Sequence, residues 1–392
     1  MASPANQLVK VEPSILVWAR ESMGLSHNDV AKKLKKDEKT VLGWESGELL
    51  PTFSQLEKLA YQIYKRPLVV FFLPEPPKET TVREDFRTIP DQDISALSPD
   101  VRLVIRKAKH HQVALKEIYS NRNPAEHQIH KDLSFKVELN VVQATTKVRE
   151  YLKINFDFKK TISDAAAAFT AYRTILQDNG IFVFQYPLKS VRGFSLTDKE
   201  FPVIVVNSSD SPTAKNFTLF HELCHILFNT GGIFRDFVKE ELTMGLNKIE
   251  KFCNEFASEF LVPAIEMAKQ FVLGRQTNTQ AWDEEKIRNV AALFKVSKEV
   301  ILRRLLDLNL TDKYQYGQMT KRWNEQYRLL RENRKKQDGG PPYQTLVISH
   351  LGKKYVSEVL ESYHSGKLDV RRTANFLGVK VNQVSKIEDK IY

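Results

Sequence analysis

Between Phe217 and Phe228 the chain reads Phe-Thr-Leu-Phe-His-Glu-Leu-Cys-His-Ile-Leu-Phe, and this stretch limits the possible folds more than any other. Apolar residues surround every polar one, so a helix here has no face to offer water. Burying two histidines and a glutamate without partners is costly, so the core must hold something that compensates them. His221, Glu222 and His225 form an H-E-x-x-H. Spacing of four puts both imidazoles on one helical face, where they can converge on a single metal ion. A tetrahedral zinc with three protein ligands keeps a fourth position for water and lowers its pKa toward neutrality. Glu222, to one side of the histidine pair, is placed to take that water's proton and pass it to a leaving amine. The strand and loop at 202–211 set the start of this helix beside a groove suited to an extended substrate.

Two histidines need a third protein ligand. A second helix over 248–263 offers Glu250, which shares a face with Asn254, while Cys253, Ala257, Phe260 and Leu261 lie on its packing side. Glu250 is the preferred ligand; Glu255 and Glu259 are the alternatives. The segments 216–228 and 250–263 together resemble the ImmA/IrrE family of zinc metallopeptidases. There an H-E-x-x-H helix is followed by an E-x-x-A-N-x-F-A-x-x-L-L-x-P helix whose first Glu completes the zinc site. The resemblance, which spans about residues 135–310, implies ligand roles for His221, His225 and Glu250 and a general-base role for Glu222. It further implies cleavage of a specific repressor protein rather than general digestion. Cys224 stands where the family often has Gly, and Cys253 where it often has Ala. Both are small enough to pack as buried residues, though a thiol beside the metal would make the site sensitive to oxidation.

Residues 24–52 resemble the phage-repressor-like (Xre) helix-turn-helix. Val30, Ala31, Val41 and Trp44 pack its two helices together and leave the amino end of the second facing outward. That pattern puts Glu38, Lys39, Leu42 and Gly43 in groove-facing positions, with Thr40 beside them. His27 and Asn28 are set to meet a phosphate. The lysine cluster 32–36, Lys35 and Lys36 included, can hold a DNA backbone, although Glu38 opposes it. Duplex DNA is therefore the expected partner of residues 24–47, and a protein docking on the same helices is the alternative.

Breaks at 74–77 (Pro-Glu-Pro-Pro) and 337–342 divide the chain. They give a helix-turn-helix domain at 1–73, a helical linker at 74–134, the peptidase domain at 135–310, a basic helical linker at 311–342 and a carboxyl-terminal helical module at 343–392. The expected fold is α+β and mostly helical: a five-helix Xre-like domain, a zincin-like core with a small sheet at 181–206, and the helical module. That module reads as helices at 349–363, 369–377 and 381–391. Residues 366–380 within it repeat helix-turn-helix spacing and are suited to binding DNA, binding a partner or covering the cleft. The segment 321–336 interleaves Trp323 and Tyr327 with basic residues; it is read as a solvated basic helix, with nucleic-acid stacking as the alternative. Residues 289–305 read as scaffold, and His110 and His111 as surface residues.

A formal charge of +11, from 59 Lys and Arg against 48 Asp and Glu, favours an acidic partner. Two cysteines exclude a disulfide scaffold, and neither a membrane span nor a secretory leader is legible. A cytoplasmic location follows, with an oligomer possible. The functional expectation is a zinc endopeptidase that cleaves a helix-turn-helix repressor or an antitoxin, tying stress, phage defence or mobile-element state to transcription. The alternative is a DNA-binding regulator or toxin–antitoxin component with a non-catalytic zinc.

Overall fold

The computed structural model of the 392-residue chain describes residues 6–79, 94–136, 139–230, 233–234, 244–272, 282–334 and 340–392. Helices dominate, with one small sheet, as the sequence patterning indicates. No helix among these residues is long and apolar enough to cross a membrane. The chain divides into two compact units, 1–107 and 108–392.

In the first unit α1 (Pro13–Ser22), α2 (His27–Leu34), α3 (Glu38–Ser46) and α4 (Phe53–Glu57) are followed by a 3-10 turn at Leu68–Phe72. Local chemistry sets the boundaries. Ser26 and Asp29 form a capping box at the start of α2, and Thr52 and Gln55 form another at α4. Left-handed Lys35 (φ 56°) and Gly47 (φ 81°) end α2 and α3. Helix α4 passes directly into a π-helical segment at Lys58–Ile63. With this wider turn, Leu59, Ala60, Ile63 and Tyr64 are all buried.

Helix α5 (Pro99–Ile118) contributes its residues up to Lys107 to the first unit and the rest to the second. The second unit continues with α6 (Ile129–Asp132), α7 (Val141–Tyr151), α8 (Phe156–Lys160) and α9 (Ala165–Asp178). Strands β1 (Phe182–Tyr186), β2 (Gly193–Leu196), β3 (Val203–Asn207) and β4 (Ile233–Phe234) form a sheet in the order β1-β3-β2-β4. β1 and β3 run parallel, Phe182 opposite Val203, and are buried throughout or nearly so. Their continuous apolar runs suit strands covered on both faces. β2 pairs antiparallel with β3 and with the edge strand β4. Directly after β3 comes α10 (Pro212–Leu227), which packs beneath β2 and β3, with α11 (Met244–Leu261) against it. Phe220 of α10 stacks on Phe260 of α11 with ring centroids 3.9 Å apart.

Beyond α12 (Ala264–Val272), α13 (Glu284–Phe294), α14 (Lys298–Asp307) and α15 (Lys313–Arg334) lies a four-helix module. It comprises α16 (Tyr343–Leu351), α17 (Lys353–His364), α18 (Val370–Leu377) and α19 (Val384–Ile391), the last preceded by a 3-10 turn at Val381–Gln383. The expected helix over 349–363 is thus two helices, broken at Gly352 (φ 87°). The break has a remote cause. Buried Arg173 of α9 donates to the carbonyls of Ser349 (2.8 Å) and His350 (2.9 Å), ending α16, and a Cβ on Gly352 would lie 2.6 Å from its guanidinium. Gln185 of β1 also donates to Ser349. The module therefore docks on β1, the opposite edge of the sheet from β4.

His111 is not a surface residue. It is 3% exposed, its Nε2 lies 2.7 Å from the Tyr186 hydroxyl and its Nδ1 3.2 Å from that of Tyr355, and its ring stacks on Phe184. His110 is half-buried, with Nε2 3.3 Å from the Asn375 carbonyl. Both partners come from chain far away in sequence, so periodicity within α5 carries no trace of them.

Candidate metal centre

Ser211 starts α10 by accepting the Ala214 amide, and Pro212 occupies the first turn, where its missing N–H is harmless. Residues 218–227 are all buried, as the apolar surroundings of the motif require. The imidazole nitrogens of His221 and His225 approach to 3.1 Å, Nε2 to Nε2. Across from them α11 presents Glu250, with Oε1 3.1 Å from His225 and Oε2 3.4 Å from His221. Donors bound to a tetrahedral zinc at about 2.0–2.1 Å stand about 3.3 Å apart. The three separations therefore fit one ion, and two imidazoles with a carboxylate are a donor set zinc accepts. Among the described residues this is the one cluster of His, Cys, Asp or Glu gathered closely enough to hold a metal.

The competing carboxylates are elsewhere. Glu259 is buried in an ion pair with Arg304 of α14, and Glu255 is half exposed beside Lys251. Glu250 is held well below the usual carboxylate range: burial opposes this, but His225 and His221 beside it prevail. Burial pushes His221 down, against the hydrogen bond it donates to Glu250. Burial also works to lower His225, yet Cys253 and Glu250 raise it. An ionised carboxylate facing imidazoles that can shed a proton is the state a divalent cation selects.

Glu222 is fully buried on the same helix. Opposite it, Gly193 of β2 has no side chain; a Cβ there would lie 2.5 Å from Thr218 Cγ2, 2.7 Å from the Val205 carbonyl and 3.7 Å from Glu222 Cγ. This glycine lets α10 lie close under the sheet. Cys224 and Cys253 are fully buried free cysteines in contact with each other, and burial raises both thiols, Cys253 well above its ordinary value. They are packing residues, not nucleophiles.

Residues 176–306 match the IrrE N-terminal-like domain of the M78 peptidases. A helix-turn-helix family model matches residues 16–60. No curated protein matches the chain. The IrrE-like domain thus contains the whole donor set, from α10 to α11, and the sheet above it.

Two further residues reach the histidines. Thr230, just past α10, has Oγ1 3.3 Å from His225 Nδ1 and so orients the ring, in the manner of outer-shell partners of metal-bound histidines. Asn254, one turn beyond Glu250, reaches His221. The second was legible as a polar residue on the Glu250 face; the first depends on the left-handed Asn229 (φ 55°), which folds Thr230 back.

In the helix-turn-helix, Asn28, Lys35, Lys36, Glu38, Lys39 and Leu42 are exposed, and Thr40 is half-buried. His27 has Nε2 3.0 Å from Glu45, which also binds Arg20 at 2.8 Å. Gly43 departs from its expected groove-facing position: it is buried, with Leu49 lying over it. Trp323 is 8% exposed with the Lys298 ammonium 4.6 Å from its ring centroid, so it has no free face for a base to stack on.

Proposed function

We propose that this chain is a zinc-dependent endopeptidase whose substrate is a specific regulatory protein. The observation that carries the reading is the convergence of His221, His225 and Glu250 from two helices, with Glu222 on the turn between the histidines. Zinc, when bound by these three groups, supplies a Lewis acid that polarises a peptide carbonyl and acidifies water. Glu222, fully buried beside the histidines, acts as the general base, then returns the proton to the departing amine. Thr230 fixes the His225 ring. Among the described residues β4 is the edge strand beside α10, a position suited to an extended peptide laid along it as an added strand.

A repressor or antitoxin is the substrate we infer, because the chain itself carries a helix-turn-helix domain that would bring it to DNA. The residues inferred to contact duplex DNA are His27, Asn28, Lys35, Lys36, Lys39 and Thr40.

The test compares cells expressing the wild-type protein with cells expressing Glu222→Gln, by mass-spectrometric mapping of protein amino termini. The account expects new termini only with the wild type, a rate drop of at least 10²-fold in the variant, and equal zinc content in both purified proteins. Identical termini in the two cell populations would refute the peptidase reading and leave a regulator with a non-catalytic metal.

A further inference from the structure

Two segments outside the first unit repeat the α2–α3 arrangement residue for residue. In α2–α3, buried Val30 and Ala31 are followed by left-handed Lys35 and then by buried Val41 and Trp44. In α18–α19 the same spacing holds Thr373, Ala374, left-handed Gly378 (φ 66°), Val384 and Ile387, and Asp369 caps α18 as Ser26 caps α2. In α13–α14 it holds Val290, Ala291, left-handed Lys295 (φ 58°), Ile301 and Arg304. Spacing therefore does not distinguish a reader of DNA from scaffold. The outer face of the second helix does.

In α14 that face is occupied: Leu302, the counterpart of Leu42, is buried, and Lys298, the counterpart of Glu38, is paired with Glu284 and lies over the Trp323 ring. Helix α3 is open too: Glu38, Leu42, Glu48 and Leu49 are exposed, Lys39 is the single cation on that helix, and Lys32, Lys33, Lys35 and Lys36 are exposed on α2 and the turn before α3. Helix α19 is open as well, and differs in offering carboxamides. It buries Val384, Ile387 and Ile391 on one side and exposes Lys380, Asn382, Ser385 and Lys386 at and near its amino end. Gln383 there is held by the Gln344 amide at 2.9 Å, and Arg371 is exposed on α18. Carboxamides at the start of the second helix with ammonium and guanidinium groups around them are what reads base edges and grips phosphates.

We propose that α18–α19 is a second, duplex-DNA-binding helix-turn-helix. The amino end of α19 enters the major groove with Asn382 and Gln383 toward base edges. Lys380, Lys386 and Arg371 neutralise the flanking phosphates, α18 crossing the backbone as first helices of this motif do. The anchoring of α16 by Arg173 and of Tyr355 by His111 holds this reader on the compact unit that carries the metal centre. The proposal does not depend on peptidase activity.

The test uses the full chain and a fluorescent duplex of about 30 base pairs of mixed sequence, titrated at several salt concentrations. Lys380→Ala/Lys386→Ala should weaken binding about tenfold or more and reduce the salt slope by about 2. Lys380→Arg/Lys386→Arg should restore both. Asn382→Ala should change which duplexes are selected from a random library while keeping the slope. Wild-type affinity and slope in the double alanine variant would overturn the proposal. So would failure of the wild-type chain to bind any duplex, which would assign this face to a protein partner.

Discussion

A single buried lysine ties pH to stability here. Lys159 of α8 is fully buried and donates to the carbonyls of Phe260 (3.3 Å) and Leu261 (2.5 Å), the last turn of the helix that carries Glu250. Burial, helped by Arg149 and opposed by Glu259, brings its pKa down from 10.5 to about 7. Between those two values the unfolded chain binds a proton that the folded chain does not, so this group makes stability rise with pH. The slope approaches ~1.4 kcal/mol per pH unit in that window. Below pH 7 both states are charged and the gain is absent. Lys159→Met should flatten the rise, measured by urea unfolding at pH 6.5 and 9; equal pH dependence in the two proteins would contradict the assignment. At this scale the gathering of His221, His225 and Glu250 was legible because each lies in a helix whose period fixes what faces what. Lys159 and His111 were not, because their partners sit in other elements and a lysine or histidine in a helix reads as solvated by default.

Helices α10 and α11 followed from periodicity and from the apolar residues around the motif. The approach of α10 to the sheet did not, since it rests on Gly193, a residue that looks like turn punctuation and lies within β2. Gly193→Ala would press a methyl group onto Thr218 and the Val205 carbonyl. Overpacking of this kind costs about 1–3 kcal/mol. The measured loss should appear as a lowered unfolding midpoint, and an unchanged midpoint would mean that the helix does not need this contact. The break between α16 and α17 was equally hidden. Gly352 sits in an otherwise continuous helical pattern, and only Arg173 from α9 shows why the chain stops there. Helix-turn-helix spacing was visible at 24–47 and again at 366–380, but exposure of the second helix, which separates reader from scaffold, is a property of tertiary packing.

The whole chain joins an IrrE-like domain to a helix-turn-helix domain, and its net charge of +11 is consistent with polyanion contacts from more than one basic surface. Its chemistry nevertheless rests on one cluster of donors. The most direct test is metal analysis of the purified full-length protein by inductively coupled plasma mass spectrometry. The account predicts one zinc per chain in the wild type and in Glu222→Gln, and strong loss of zinc in His221→Ala and in Glu250→Ala. A wild-type protein that binds no zinc after incubation with it, or a Glu250→Ala protein that keeps a full equivalent, would contradict it.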